Sequence, residues 1–305
     1  MCRDPAQRKQ ATRMPKAVWE GEPVRLDRAL AESGIARSRT QAAELVEQGG
    51  VTVNGRPASK PSLRLSPGDE IEVAATERYV SRAAHKLVAG LDEFQLDPAG
   101  RVALDLGAST GGFSQVLVER GAAAVLAIDV GHGQLAPELL GEPRIRLVEG
   151  RNARDLDPAN LARDTGVEAP PSLVVADLSF ISLRLIFPAI DRCASADADL
   201  VLLVKPQFEV GRVRDGVVTN PAQWAEALQI AIAAAAENGF AVQGLANSPI
   251  TGGHGNREFL AHFVRTDRER TRDQPEWVAR IDALCQRPSA ADSAGPSTAE
   301  RNENV

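Results

Sequence analysis

Four apolar runs in this chain each end in a charged residue. Val102–Leu104 leads to Asp105, Ala124–Ile128 to Asp129, Leu173–Ala176 to Asp177, and Leu200–Val204 to Lys205. A charge set directly after a buried strand is poorly solvated unless a cleft opens there, and in open α/β sheets ligands sit beyond the carboxyl ends of the strands. The first run opens VALDLGASTGGF, Val102–Phe113, whose Gly107, Gly111 and Gly112 let the backbone turn sharply and admit a ligand to its amides. Asp129 follows Gly107 by 22 residues, a distance that suits an acid hydrogen-bonded to ribose hydroxyls. The pattern predicts a strand, a glycine-rich turn and a helix around a cofactor that contains a nucleoside.

The spacing of the loop narrows the cofactor. A dinucleotide fingerprint needs a second glycine where this chain has Ser109, and no G-x-x-x-x-G-K-[ST] phosphate loop occurs anywhere. Asp105-Leu106-Gly107-Ala108 followed by Gly111-Gly112-Phe113 instead resembles the first motif of S-adenosylmethionine-dependent methyltransferases, and most nearly that of the RNA 2′-O-methyltransferases. The resemblance implies S-adenosylmethionine as cofactor, with Asp105, Gly107, Ser109, Thr110, Gly111, Gly112, Phe113, Asp129 and Asp177 around it. Asn152, just past the alternating run Arg144–Glu149, stands where such folds touch the adenine. Ser109-Thr110 departs from the proline-containing pair of many relatives.

The elements around the loop read as a doubly wound sheet. Leu173–Ala176 and Leu200–Val204 are short, fully apolar strands, Pro221–Asn238 is a long alanine-rich helix, and Phe240–Leu245 and Glu258–Val264 are the last two strands. Thr251–Asn256 is a glycine-rich loop between them. Pro206 keeps Lys205 out of helical geometry at its strand end. Ser81 is the expected N-cap of a helix carrying Ala83, Ala84, Leu87 and Val88, with Arg82, His85 and Lys86 interleaved.

Charge is segregated along the chain. Residues 1–65 carry 12 Lys and Arg against 7 Asp and Glu, a net of +5, so the remainder carries −11 of the total −6. A basic N-terminal part suits a polyanionic partner. Residues 1–22 are polar and proline-punctuated, which predicts disorder. Arg25–Leu30 opens a helix closed by Gly34, Thr40–Gln48 forms a second, Val51–Val53 is a strand, Asn54-Gly55 a hairpin turn, and Glu70–Val73 a last strand. The stretch RLDRALAESGIARSRTQAAELVEQGGVTVNG, continuing to PGDEIEV, resembles the S4 RNA-binding domain. That resemblance implies RNA contacts from Arg25, Arg28, Arg37 and Arg39, with Arg82 as a further basic candidate. Arginines offer planar donor forks to phosphates.

At 43% hydrophobic and 25% charged residues the composition is globular. No apolar run approaches the roughly 18 residues of a membrane span, and the N-terminus shows no apolar signal core. The three cysteines are scattered without metal-ligand spacing. A cytoplasmic, reduced, metal-free monomer is expected.

A ribose 2′-hydroxyl is a weak acid, and methyl transfer to it needs in-line approach and removal of its proton. A lysine can accept that proton when burial or a neighbouring cation favours its neutral form. The family resemblance implies a Lys–Asp–Lys–Glu set, which falls by motif on Lys86 (RAAHKL), Asp177 (VVADLSFISL), Lys205 (LLVKPQFE) and Glu258 (GNREF). Lys205 is then the expected base, Lys86 either its neighbouring cation or the group that holds the substrate hydroxyl, Asp177 the carboxylate that positions Lys205 near the cofactor's sulfonium, and Glu258 a brace for one of the lysines. The union of an S4 module with GASTGGF, ADLSFISL and VKPQFEVG resembles the TlyA-type proteins, also called haemolysins, which methylate cytidine 2′-hydroxyls of ribosomal RNA. The expected organisation is a tail over 1–22, an S4 domain over 23–74, a linker over 75–82, a Rossmann-like class I methyltransferase domain over 83–267, and a mostly disordered tail over 268–305. Two rival functions are a membrane-lytic protein and a non-catalytic S4 factor of ribosome assembly. The first lacks a span or a strongly cationic amphipathic helix, and retention of all four candidate catalytic residues argues against the second.

Overall fold

The basic N-terminal segment and the acidic remainder fold as separate units, the second beginning at Tyr79, in a computed structural model of the chain. The structure describes residues 16–36, 38–47, 50–73, 79–211, 216–252, 255–268 and 274–286.

In the first unit β1 (Lys16–Val18) and β2 (Val24–Arg25) precede α1 (Leu26–Glu32) and α2 (Arg39–Glu47). Then come β3 (Val51–Val53), β4 (Arg56–Pro57), β5 (Arg64–Leu65) and β6 (Glu70–Val73). Asn54 and Gly55 both take positive φ, 50° and 72°, as the two-residue hairpin turn between β3 and β4 requires. One sheet runs β1-β6-β3-β4 and a small ribbon pairs β2 with β5. Leu26, Ala29 and Leu30 of α1 meet Ala42 and Val46 of α2 over Val51, Ile71 and Val73, a core for the module. The expected disorder over residues 1–22 fails at its C-terminal end. Residues 16–18 pair antiparallel with β6, because their backbone completes an otherwise open sheet edge.

In the second unit α3 (Ala84–Glu93) precedes β7 (Val102–Leu106), α4 (Gly112–Glu119), β8 (Ala124–Ile128) and β9 (Ile145–Val148). There follow α5 (Pro158–Thr165), β10 (Leu173–Ala176), α6 (Phe187–Cys193), β11 (Asp199–Val204), the single turn α7 (Pro206–Glu209) and α8 (Pro221–Glu237). β12 (Phe240–Asn247), β13 (Phe259–Arg265) and α9 (Gln274–Cys285) complete the unit. The sheet order is β12-β13-β11-β10-β7-β8-β9. It is parallel except for β13, which runs antiparallel to both its neighbours. Strand parity divides the core. Leu104, Leu106, Val174, Ala176, Leu200 and Leu202 face α6, α8 and α9, while Ala103, Val175, Val201 and Leu203 face α3 and α4.

One further expectation changes. Ser81 does not cap α3 through its side chain; Ala83 holds the N-cap position, and the Ala84 amide reaches the Ser81 carbonyl at 3.2 Å. The stretch 266–287, which opens on a charged run and is expected to form at most a helix, carries α9. Its Trp277, Ile281, Leu284 and Cys285 recur at helical spacing and bury against the core carrying Trp224 and Leu228.

Candidate active site

Strand register assembles the charged residues. Leu106 pairs with Ile128 and with Ala176, and Ala176 with Leu202, so Gly107, Asp129 and Asp177 leave the same edge of the sheet, and β11 ends there too, at Lys205. Because β13 is antiparallel, its first residue, Phe259, pairs with the last of β11, Val204. That register brings Glu258 to the same edge although it precedes its strand. Lys86, in the first turn of α3, reaches this edge from the α3 side of the sheet.

The four side chains form one chain of ion pairs. Lys86 Nζ lies 2.7 Å from Glu258 Oε2 and 3.0 Å from Asp177 Oδ2, and Lys205 Nζ lies 2.7 Å from Asp177 Oδ1. Lys86, Lys205 and Glu258 are all buried. Burial opposes the charge on Lys86, but the Asp177 and Glu258 carboxylates outweigh it and hold its pKa above the ordinary lysine value. Burial likewise raises Asp177, and the two lysines, Lys205 foremost, overcome that and hold its carboxyl below the usual range. Lys205 also donates to Ser179 Oγ at 3.0 Å and lies 5.9 Å from the centre of the Phe208 ring.

Two concavities meet at this cluster. The larger, about 790 Å³, is walled by Gly107, Ser109, Asp129, Asn152, Asp177 and Phe180, among others. The smaller, about 350 Å³, is walled by Arg82, Lys86, Thr110, Gly112, Phe113, Lys205, Thr251 and Gly252. Gly107, Ser109, Asp177 and Ser179 border both. The Asp129 carboxylate accepts the Ser109 amide at 2.8 Å and the Gly131 amide at 2.7 Å, which fixes it at the wall of the larger cleft. The larger cleft has the size of a small-molecule site, and Gly107 (φ +83°) is packed so closely that an added Cβ would stand 3.1 Å from Leu178. The cleft has room for a nucleoside-bearing cofactor, with Asp129 on its wall and Asp177 at the junction with the smaller hollow.

Two expected cofactor contacts line neither concavity. Asp105 is completely buried, because its place on β7 points it toward α4, where Ser114 Oγ donates to it at 2.6 Å. Burial foremost, with the Asp177 and Asp129 charges, pushes its pKa up to about 7 against the lowering Ser114 hydrogen bonds. Gly111, at φ +91°, faces Leu135 and Leu139, whose methyls would lie 2.6 and 2.5 Å from an added Cβ. It is a turn and packing residue.

The structure adds residues with no assignment from sequence. Phe180 is 90% exposed, takes φ +64°, and lies with its ring 5.3 Å from that of Phe208. Glu209 braces the same loop, accepting Ser182 Oγ at 2.6 Å and the Leu183 amide at 2.8 Å. Thus α7, directly after Lys205, holds the segment 180–183 by two of its side chains, Phe208 and Glu209. An exposed aromatic at positive φ is a strained conformation of the kind that clusters at functional sites.

In the first unit Arg25 and Arg39 both bind Asp27, while Arg28 pairs with Glu32 on the exposed face of α1. Arg37 lies outside the described residues. Among the described residues no group of three or more His, Cys, Asp and Glu side chains is arranged to hold a metal, and no helix is long and apolar enough to cross a membrane.

Comparison with known proteins agrees with this arrangement. Residues 79–265 match the FtsJ-like methyltransferase model and residues 24–71 the S4 domain model. The chain is 47% identical over 252 residues to the 16S/23S rRNA (cytidine-2′-O)-methyltransferase TlyA of Mycobacterium tuberculosis, covering 81% of this chain and 91% of that one. It is 36% identical over 244 residues to Hemolysin A of Brachyspira hyodysenteriae, covering 79% of this chain and all of the relative. A solved structure named as a hemolysin, from Streptococcus thermophilus, superposes with a TM-score of 0.66 at 38% identity over 87% of this chain and 96% of its own. With the two domains in the order and over the residues that their models match, the chain belongs to the TlyA-type family of S4-bearing, FtsJ-like methyltransferases.

Proposed function

We propose that this protein transfers a methyl group from S-adenosylmethionine to the ribose 2′-hydroxyl of a cytidine in ribosomal RNA, working as a cytoplasmic monomer whose S4 domain docks the RNA. The observation that carries the reading is the Asp177 carboxylate, shared by Lys86 and Lys205 where the glycine-loop cleft meets the smaller hollow. The names of the relatives, which specify cytidine 2′-O-methylation of ribosomal RNA, supply the substrate class.

When bound, S-adenosylmethionine supplies an electrophilic methyl on a sulfonium. Gly107, Ser109, Asp129 and Asn152 would hold it along the larger cleft, and the Asp177 carboxylate would offset positive charge at the junction with the smaller hollow. Lys86, held by two carboxylates, stays an ammonium and donates to the ribose. Lys205 is held by one carboxylate and a hydroxyl, and would be the group that accepts the 2′-hydroxyl proton. Asp177 aligns both lysines, and Glu258 fixes Lys86. Phe180 offers an aromatic face beside Ser179 on which an unstacked base can rest.

The test is incubation of the purified protein with labelled S-adenosylmethionine and separate ribosomal subunits, followed by mapping of the methyl group. Label at a cytidine 2′-oxygen is the expected result. No label on either subunit would overturn the reading in favour of a binding factor. Dye release from liposomes in place of methyl transfer would favour the activity that the hemolysin name suggests.

A further inference from the structure

The S4 unit contains a polar cluster around a nearly buried carboxylate at the start of α1. Asp27, the second residue of α1, has a side chain only 7% exposed, yet it faces two arginines from different elements. Its Oδ1 accepts Arg25 Nε at 3.1 Å, and its Oδ2 accepts Arg25 Nη2 at 2.9 Å and Arg39 Nη2 at 3.2 Å. Arg25 directly precedes α1 and Arg39 is the first residue of α2. One carboxylate therefore ties together the starts of the two helices whose apolar faces make the module core. Arg28 is different: it pairs with Glu32 on the open helix surface, both groups well exposed, an arrangement that fixes little.

A guanidinium carries five N–H donors in a rigid fork. Asp27 takes two from Arg25 and one from Arg39, and both arginine side chains remain about half exposed, at 49% and 60%. Burying a carboxylate costs stability unless its partners are well placed. The bidentate Arg25 fork meets that demand, and its hydrogen bond, with Arg39 in support, holds the Asp27 carboxyl down to about 2 against its burial, so it stays charged. The cluster keeps a net positive charge with its guanidiniums already ordered.

We infer that Asp27 is a positioning residue for RNA docking: it holds Arg25 and Arg39 as one preformed fork for a backbone phosphate. This rests on the reading that the S4 unit docks RNA. Contacts to phosphate fix a protein's register on a nucleic acid, and an arginine ordered beforehand loses less freedom on binding than one that must be immobilised then.

The sign of one substitution separates this role from plain charge. Asp27→Asn removes a negative charge from a basic surface, so electrostatics alone predicts tighter binding to RNA. The preformed fork predicts the reverse, a loss on the order of tenfold. The measurement is the affinity of the full-length protein for purified ribosomal subunits across a potassium chloride series, with a melting curve to show that the variant is folded. Weaker binding with a shallower salt dependence is expected. Unchanged or tighter binding by a folded Asp27→Asn protein overturns the inference. Should that variant not fold, the double change Arg25→Lys with Arg39→Lys carries the test. It keeps both charges and loses both forks, so weaker binding supports the inference and wild-type binding overturns it. If Arg25→Ala and Arg39→Ala weaken binding while Asp27→Asn does not, RNA docking stands and the positioning role falls. If the wild-type protein binds no subunit, the docking reading fails and takes the inference with it.

Discussion

Asp177 Oδ1 stands 2.7 Å from Lys205 Nζ, where two neighbouring parallel strands end side by side. The same carboxylate uses its other oxygen on Lys86 at 3.0 Å. One acid thus sets the separation and the order of two cations, and the two carry different loads. Lys86 answers to two carboxylates and Lys205 to one.

That asymmetry makes Lys205→Met a selective lesion. Single-turnover methyl transfer to ribosomal subunits is expected to fall by about 10²–10⁴-fold, the span of a lost general base. Affinity for S-adenosylmethionine, measured by calorimetry, is expected to stay within a few-fold, since Lys205 lines the smaller hollow and not the larger cleft. A large loss of cofactor affinity with an unchanged transfer rate would assign Lys205 to binding.

Lys86 and Glu258 are predicted to be coupled in stability. Lys86→Met leaves the buried Glu258 carboxylate, 2% exposed, without its cation, and breaking a buried pair from one side costs about 3–5 kcal/mol. Glu258→Gln leaves Lys86 with Asp177 and is expected to cost less. The double variant should be more stable than the sum of the single losses predicts, by about 1–3 kcal/mol of interaction energy in a urea-unfolding cycle. Simple additivity would mean that the two side chains do not act as a pair.

Much of this site was legible from residue order. The glycine loop, Asp129, Asp177 and Lys205 all mark the ends of apolar runs, and a parallel sheet turns such ends into one edge. Lys86 and Glu258 were legible only by family resemblance. A lysine on an amphipathic helix and an acid before a last strand carry no local signal, and it takes the antiparallel Val204–Phe259 register to bring Glu258 across. The strand parity that hides Asp105 was within reach of period-two reasoning, and the Trp277, Ile281, Leu284 spacing behind the charged stretch before α9 was within reach of helical periodicity. The Phe180–Phe208 pair and the Glu209 brace depend on how two loops fold over each other, which no spacing along the chain encodes.

Asp105 gives stability a pH dependence of defined sign. Unfolded, its carboxyl ionises near pH 4; folded, it keeps its proton to about pH 7 because it is buried. Between those values the folded state binds more protons than the unfolded one, so this group makes stability fall as pH rises. Asp105→Asn removes that slope. Chemical unfolding at pH 5 and pH 8 should show the variant gaining on the wild type at the higher pH, whatever constant offset the amide introduces. Parallel curves for the two proteins would show that Asp105 does not titrate in this range.

Phe180 separates binding from folding most cleanly. The residue is 90% exposed, so Phe180→Ala removes little buried surface and should leave the melting temperature nearly unchanged. A base stacked on an aromatic ring contributes about 1–3 kcal/mol, so kcat/KM for ribosomal subunits is expected to fall by roughly 5- to 150-fold. Glu209→Ala acts on the same step from behind, freeing Ser182 and Leu183 from the carboxylate that braces the loop. It should lower kcat/KM in the same direction while Phe180 itself remains. If Phe180→Ala transfers methyl groups at the wild-type rate, the exposed ring is not where the target base rests, and the Glu209 brace then serves the cofactor cleft that Ser182 also lines.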